Sequence, residues 1–539
     1  MKILNANKLY IFFFACTIIL FSIISLYISF TNRIEGDAAF HALVSREIAE
    51  DGRTISSTSY ILANEKNNFP IAYPQIFHLI GAISFLYIGN NTFIILPVLY
   101  GVMSLYFLAI IFMNIHKNLA ATLLGVLILA LNIYFLDYSS KYFMEIGLVF
   151  TILAALAYTM KYVNKKNTSS LYIASIFFGL SVAIKQQGLI ALPIFLIILF
   201  LSYLWNKSFK QIIISILFFL LIAVGPMIQL FYSTGSILYA GDNPPKIIQI
   251  IEEPLRKVLR VKLLEGDKEW STINQGRRDE EIVTWRDISN TVTAWTVQDD
   301  TASIPWVELT GILLLILIVR VIKTRSIIDL VMLVFLGLFY FLLYYLARPR
   351  YALPLIVLPS VTLFYIIHTL KIFKTKAILI VSITSLFIIY TMINFGSKLP
   401  DIMSRDDYGY FGVYNDKRNS QLQSLYDSIK IDNNINYTVL SPVPYETAFY
   451  TKHATIWANP YGATDLFKSF LSTDEKTTVA MLKKYRVKYL IIYNDRFMRY
   501  SNWVGISPSD AFFSKIATSK NFHLIKHNDS GRVYVANFQ

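Results

Sequence analysis

Long apolar runs alternate with short polar segments along most of this chain. A helix needs about 20 apolar residues to cross a bilayer, because each residue rises ~1.5 Å and the hydrocarbon core is ~30 Å thick. Runs of roughly this length lie at about 10–30, 92–114, 119–136, 144–162, 170–184, 188–205, 210–232, 305–322, 326–346, 351–370 and 376–394. The pattern predicts a polytopic α-helical membrane protein with about 11 transmembrane helices.

A shorter apolar run at 71–88 decides the topology, and it carries Pro74, Gln75 and His78. If this run crosses the membrane, every later segment inverts and most basic loops fall outside. If it does not cross, one side receives most of the basic residues, as the positive-inside rule expects. That side then holds Lys2, Lys8, Lys117, Lys161, Lys165, Lys166, Lys207, Lys210, Arg320, Lys323, Arg325, Lys371, Lys374 and Lys376. We therefore predict an interfacial or re-entrant element here and a cytoplasmic N-terminus.

This topology places two large loops, 31–91 and 233–304, on the extracytoplasmic face. Within the second loop, residues 244–264 mix Ile, Val and Leu with Lys and Arg. Such a composition is typical of a helix that lies on the membrane surface with its basic groups near headgroups. A linker helix packed on the protein fits the same residues, so both interpretations stay open.

The last part of the chain is polar and shows mixed helix and strand patterns. Segments rich in Val, Ile and aromatic residues predict strands at 437–440, 487–493 and 532–538. Ser472 and Glu475 have the spacing of a capping box, which predicts the start of a helix. We expect a transmembrane domain over 1–396 and an extracytoplasmic α/β domain over 397–539.

Composition agrees with a membrane protein, because 55% of the residues are hydrophobic, 16% are charged and the mean hydropathy is +0.50. A soluble chain rarely reaches these values. The single cysteine, Cys16, excludes a disulfide within the chain and a cysteine-based metal site. The net charge of +14 is scattered between apolar runs, which fits topology signals and anionic lipid rather than nucleic acid. We expect a multi-pass protein of the cell membrane, with the lipid bilayer as partner.

Two acidic residues, Glu35 and Asp37, directly follow the first apolar run. The glycine between them permits a backbone turn, so both carboxylates can converge on a metal or a sugar hydroxyl. Asp37 can also act as a general base towards an acceptor. Alternatively, Asp37 begins a helix, because acidic groups favour helix N-termini.

Other charged groups fall at the mouths of crossings on the same predicted face. Glu145 opens the fourth crossing and is expected to point into the bundle, since lipid exposure is unfavourable. Lys141 can pair with it at i,i+4 spacing. Lys185 and Arg350 can bind a phosphate, or they can be snorkelling and turn charges. Further substrate-binding candidates are Tyr73, His78, Arg348 and Tyr351, and His78 has a packed core histidine as its alternative. Together these groups favour transfer chemistry on a lipid-phosphate substrate.

These stretches resemble the GT-C class of membrane glycosyltransferases, in the branch of protein O-mannosyltransferases and lipid A aminoarabinose transferases (glycosyltransferase family 39-like). Glu35-Gly36-Asp37 matches the ExD form of the acidic pair in the first outer loop of that class. Later motifs of the class are similar to YPQIFHLIGA (73–82), KYFMEIGLVFTILAALAY (141–158), GLSVAIKQQGLIALP (179–193) and RPRYALPLIVLPS (348–360). The resemblance covers roughly 31–370.

The resemblance implies a polyprenyl- or dolichyl-phosphate-linked sugar as donor and a glycan, lipid or protein as extracytoplasmic acceptor. It makes Asp37 the catalytic carboxylate, with Glu35 and Glu145 assisting, and it assigns the donor phosphate to Lys185 and Arg350. The ExD pair lacks a further acid, which leaves open whether Asp37 and Glu145 hold a divalent metal. None of the seven tryptophans lies in a WWDxG motif, which argues against an oligosaccharyltransferase catalytic subunit.

Two other functions fit the same residues. A transporter or flippase of lipid-linked sugars would use similar cations in a bundle of similar size. Transporters often contain inverted repeats with broken helices at mid-membrane, and no duplicated half is evident here. A non-catalytic membrane assembly protein, with an outer domain that binds a partner, is the third interpretation.

Overall fold

A computed structural model describes the chain at residues 2–31, 34, 36–52, 74–116, 119–237, 246–260, 306–324, 326, 329–334, 336–337, 416–429, 437–441, 443–456, 466, 475–494 and 519–537. Five of the predicted site residues lie outside these ranges: Glu35, Tyr73, Arg348, Arg350 and Tyr351. The apolar runs at 351–370 and 376–394 also lie outside them. What the sequence predicts for these residues and runs stays a prediction.

The apolar runs that the structure describes form helices, and helices also form in more polar segments between them. In chain order they are α1 (Lys2–Thr31), α2 (Gly36–Asp51), α3 (Ile76–Ile88), α4 (Thr92–His116), α5 (Leu119–Ala130), α6 (Ile133–Ser139), α7 (Met144–Lys165), α8 (Thr168–Ile184), α9 (Leu192–Asn206), α10 (Phe209–Thr234), α11 (Lys246–Leu259) and α12 (Trp306–Thr324). Within the described ranges, five segments are long and apolar enough to cross a membrane: Lys8–Thr31, Ile76–Ile115, Met144–Lys165, Gln186–Asn206 and Phe209–Tyr232. An α-helical membrane domain is therefore confirmed, and the number of crossings stays a prediction.

Helix α3 is short, with 13 residues, and belongs to the apolar segment Ile76–Ile115. Gly89 follows α3 with φ +58°, a conformation that separates α3 from α4. The ring of Phe77 at the start of α3 lies 4.7 Å from the ring of Tyr142, and the ring of Phe93 in α4 lies 5.0 Å from it. The start of α3 and the start of α4 thus both pack on Tyr142, and an interfacial or re-entrant element here stays a prediction.

Hydrogen bonds between helix termini define the two ends of the bundle. At one end, Ser29 near the C-terminus of α1 donates to the carbonyl of Ser140 in the α6–α7 turn at 2.8 Å. The C-terminus of α8 lies at this end as well, beside the first turn of α7. We call this end of the bundle, with the α6–α7 turn and the C-termini of α1 and α8, the head end. At the opposite end, Asn206 of α9 donates to the Tyr162 hydroxyl of α7 at 3.1 Å.

Helix α7 lies at the centre of the bundle, between α4 and α8. Most of its side chains are buried, including the small residues Gly147, Ala154, Ala155 and Ala157. Small residues let helix backbones approach closely in a membrane, where the surrounding lipid is as apolar as the side chains. The first turn of α7 is therefore held firmly at the head end.

One element differs from the sequence-based prediction, and a second, in 244–264, has a contact that fits one of the two interpretations left open for it. The run at 119–136 is divided into α5 and α6, because the Asn132 side chain accepts the N–H of Phe135 at 3.0 Å and caps a new helix. Helix α11 lies within the predicted 244–264 helix, but its Arg256 donates to the carbonyl of Gly235 at 3.1 Å. That guanidinium binds the protein rather than headgroups, while Val258 on the same helix is exposed.

The C-terminal part forms a small α/β unit. Its elements are α13 (Asp416–Asp427), β1 (Thr438–Leu440), α14 (Pro444–Thr451), β2 (Thr455–Ile456), α15 (Glu475–Lys484), β3 (Val487–Tyr493), β4 (Phe522–Asn528) and β5 (Gly531–Ala536). The sheet order is β2-β1-β3-β5-β4, with β1 parallel to β2 and β3, and β5 antiparallel to β3 and β4. The three predicted strands are present, and β2 and β4 were not predicted.

Cysteine labelling tests the predicted orientation of the bundle. In a Cys16→Ser background, we expect a membrane-impermeant maleimide to label Asn91→Cys, between α3 and α4 at the head end, in intact cells. Ser169→Cys, at the opposite end, should be labelled only after permeabilisation, because the basic loops at that end favour the cytoplasm. Both positions are exposed in the structure. The reverse labelling pattern would contradict a cytoplasmic N-terminus.

Candidate active site at the head end

Asp37 lies in the first turn of α2, one residue after the start of the helix at Gly36. Gly36 has φ +51°, which a residue with a side chain rarely adopts, so the glycine permits the turn from α1 into α2. The Asp37 side chain is partly exposed. A carboxylate in this turn is also favourable for the helix dipole, so the helix-start interpretation of Asp37 and a chemical role are compatible.

One face of α2 packs on α3 through polar side chains. His41 and His78 share a hydrogen bond of 2.9 Å between Nδ1 and Nε2, and Ser45 lies 3.0 Å from the Tyr142 hydroxyl. Asp37, His41 and Ser45 are spaced four residues apart, so they follow one face of the helix. His78 has no exposed surface in this structure, and its predicted contact with substrate stays a prediction.

A buried ion pair joins α7 to α8. Lys185, which follows the C-terminus of α8, donates to Glu145 in the first turn of α7 at 2.7 Å. Their side chains are only 3% and 4% exposed. Each charge also suits its helix terminus, since carboxylates are favourable at N-termini and cations at C-termini.

The pairing of Lys141 differs from the one that helical spacing allows. The α6–α7 turn separates Lys141 from Glu145, because α6 ends at Ser139 and α7 begins at Met144. Lys141 instead binds Asp137 of α6 at 2.8 Å. The Glu145–Lys185 pair is more deeply buried than the Asp137–Lys141 pair.

Packing connects this ion pair to the α2–α3 face. A methyl group at Gly147, two residues after Glu145, would lie 3.4 Å from the Phe77 ring of α3 and 3.6 Å from Ile184 of α8. The first turn of α7 is thus located between the start of α3 and the end of α8. The structure places Asp37, His78, Glu145 and Lys185 at the head end. Their roles in a reaction stay predictions.

Helix α14 of the C-terminal unit packs directly on α2. Glu446 accepts the N–H of Gly36 at 3.0 Å, and the Tyr450 hydroxyl accepts the N–H of Ile34 at 3.0 Å. The rings of Tyr445 and Phe40 lie 5.1 Å apart. Sequence reasoning missed these residues, because no periodicity or motif reports a contact between segments more than 400 residues apart.

The electrostatics of Tyr445 show that it lies near the acidic turn. Removal from water raises the pKa of its hydroxyl, and the negative charge of Asp37 raises that pKa further. Tyr445 therefore stays protonated at any working pH. Because its hydroxyl is neutral, Tyr445 does not act as a base in place of the nearby Asp37.

Asp37 and Glu145 are the residues at which the sequence leaves a divalent metal open. Among the residues that the structure describes, no group of three or more His, Cys, Asp or Glu side chains could hold a metal ion. Glu145 directs one carboxylate oxygen at an ammonium group, and a cation there would have to compete with Lys185. Glu35 lies outside the described residues, so metal binding at the acidic pair stays a prediction.

No family model matches the sequence, and no curated protein is significantly similar to it. Solved structures are similar in fold. Oligosaccharyltransferase from Archaeoglobus fulgidus, in complex with Zn and sulfate, has a TM-score of 0.58 and 13% identity, with 88% of this chain and 68% of that chain covered. ArnT from Cupriavidus metallidurans, bound to undecaprenyl phosphate, has a TM-score of 0.53 and 11% identity, with 97% and 99% covered.

The chain has the GT-C fold. Because the ArnT match spans nearly all of both chains, the likeness includes the C-terminal unit as well as the helical bundle. A fold similar to that of an oligosaccharyltransferase does not change the argument from the missing WWDxG motif, because that argument depends on the sequence and not on the fold. Within this GT-C fold, the head end is the candidate active site.

Substitution of the ion pair tests its coupling. Glu145→Gln or Lys185→Met alone leaves the other charge buried without its partner, which typically costs about 3–5 kcal/mol of stability. We expect the double variant to recover most of the loss, as measured by thermal unfolding of the purified proteins in detergent. Glu253→Gln, which removes an exposed ion pair on α11, should leave the unfolding temperature unchanged. A loss in the double variant equal to the sum of the two single-variant losses would contradict the coupling.

Proposed function

We propose that the protein is an integral-membrane glycosyltransferase that transfers a sugar from a polyprenyl- or dolichyl-phosphate-linked donor to an acceptor on the extracytoplasmic face. One observation carries the proposal: a partly exposed carboxylate, Asp37, lies at the same end of a GT-C bundle as the cation Lys185. The likeness to a structure that binds undecaprenyl phosphate supports the class of donor.

Asp37 is assigned as the general base. It takes the proton from an acceptor hydroxyl or amine, whose oxygen or nitrogen then forms a bond to the anomeric carbon of the sugar. The bond between that carbon and the phosphate oxygen breaks, and its electron pair leaves with polyprenyl phosphate. A general base must reach the proton within hydrogen-bond distance, and the partial exposure of Asp37 supports access by an acceptor.

Glu145 receives a different role from the one that the sequence suggested. Its carboxylate is buried and bound to Lys185, so it is poorly placed to contact an acceptor. We assign it to holding the Lys185 ammonium at the head end. Its positive charge, held in this place, can attract a phosphate as a point charge.

The leaving phosphate requires more positive charge than a paired lysine supplies. We assign its binding to Lys185 together with Arg348 and Arg350, because guanidinium groups bind phosphate oxygens in a bidentate manner. Tyr73, His78 and Tyr351 are assigned as further contacts to the donor. The acceptor is a glycan, a lipid or a protein.

Turnover by an Asp37→Asn variant tests the proposed role. The purified protein is incubated with a panel of polyprenyl-phosphate sugars, and released polyprenyl phosphate is measured. We expect Asp37→Asn to lower kcat by about 10²–10⁴-fold, the usual contribution of a general base, with the dissociation constant of the donor unchanged. The matched control is Glu50→Gln, which alters an exposed carboxylate on the same helix and should keep wild-type turnover.

Two results would contradict the proposal. Failure of the wild-type protein to release polyprenyl phosphate from any donor, together with movement of a lipid-linked sugar across liposomes, would favour the transporter. Wild-type turnover by Asp37→Asn would remove Asp37 from the mechanism.

A further inference from the structure

The N-terminus of α2 is capped by a residue from the other domain. The first N–H groups of a helix have no partner within it, and a residue just before the helix usually accepts one of them. In α2, the N–H of Gly36 donates to Oε1 of Glu446 at 3.0 Å. The Glu446 side chain is buried and lies in the first turn of α14.

A second contact holds the other end of α14. The Arg46 guanidinium of α2 donates to the carbonyl of Phe449 at 2.8 Å and lies 4.9 Å from the centre of its ring. Carbonyls near a helix C-terminus lack internal partners and favour a cation. Because Glu446 and Arg46 act at opposite ends of α14, they prevent α14 from sliding along α2.

Apolar packing would join the two domains without Glu446. Ala448 and Phe449 belong to the main hydrophobic core of the bundle, and the Phe449 ring lies 5.8 Å from that of Phe93 in α4. Burial of a carboxylate is unfavourable unless hydrogen bonds compensate for the lost water. A buried charge is therefore unfavourable if its role is only to hold the two domains together. Its hydrogen bond goes to the turn that carries Asp37, which indicates a role at that turn.

We propose that Glu446 is a positioning residue, which holds the first turn of α2 through the N–H of Gly36 and thereby directs the carboxylate of Asp37. This inference rests on the proposed function of Asp37. Glycine in a positive φ conformation has more backbone freedom than any other residue, so the turn needs an external restraint. The C-terminal unit then contributes to turnover without contact with substrate.

Two substitutions of Glu446 test the inference in the full-length protein. Glu446→Ala removes the acceptor, and we expect kcat to fall about 10–100-fold, since a small displacement of a catalytic group has this effect. The KM for the polyprenyl-phosphate sugar should change less than about twofold, because the donor phosphate is bound elsewhere. Glu446→Gln keeps an oxygen acceptor and should recover most of the kcat.

Hydrogen–deuterium exchange gives a readout that does not depend on turnover. We expect amides of residues 36–46 to exchange faster in Glu446→Ala than in the wild type. The control is Gln421→Ala, which removes hydrogen bonds to Asp529 and Ser530 within the same domain and leaves the α14–α2 contacts intact. This variant should match the wild type in kcat and in exchange over 36–46.

The outcomes separate this inference from the proposed function. Wild-type kcat in Glu446→Ala would overturn the positioning role, while release of polyprenyl phosphate by the wild type would still support the transferase. A loss in Gln421→Ala equal to that in Glu446→Ala would also overturn it, because general weakening of the domain would then explain both. If the wild type shows no turnover, unchanged exchange over 36–46 in Glu446→Ala overturns the inference by itself.

Discussion

The ion pair between Glu145 and Lys185 joins α7 to α8 at a depth where neither charge is stable alone. A buried carboxylate or ammonium loses its water, and only a close partner of opposite charge offsets that loss. The 2.7 Å contact therefore holds the N-terminus of one helix beside the C-terminus of the other. Around this fixed point, α3 packs against the first turn of α7 and presents His78 to α2. The position of Asp37 at the head end follows from this arrangement of helices.

The candidate site is formed by two domains rather than by the bundle alone. Helix α2 lies between the transmembrane helices and α14, with polar contacts on both faces. Asp37 is consequently held by neighbours from distant parts of the chain, while its side chain keeps access to solvent. Such a layout suits the proposed reaction, in which a lipid-linked donor reacts at the membrane surface. Rigid support around one accessible carboxylate is what positioning of a general base requires.

Local sequence patterns were sufficient to predict most helices and strands, but not the contacts between distant residues that form the candidate site. The apolar runs predicted α1, α4, α7 and α10 because the bilayer sets their length, and the run VKYLIIY predicted β3 because branched residues favour strands. The partner of Glu145 could not be predicted, because Lys185 is 40 residues away and meets it only when α7 packs on α8. The Glu446 contact spans 410 residues and leaves no periodic signal. The division at Asn132 was readable in principle, since asparagine is a frequent helix cap.

A structure of the protein with bound polyprenyl phosphate tests the central claim most directly, namely that the charged groups at the head end form one reaction centre. The account predicts that the phosphate lies at the head end, within hydrogen-bond distance of Lys185, or of Arg348 and Arg350, which are proposed to bind it. The carboxylate of Asp37 should then face the side from which the sugar is attacked. A phosphate bound at the opposite end of the bundle, beside Lys166 and Lys207, would contradict it.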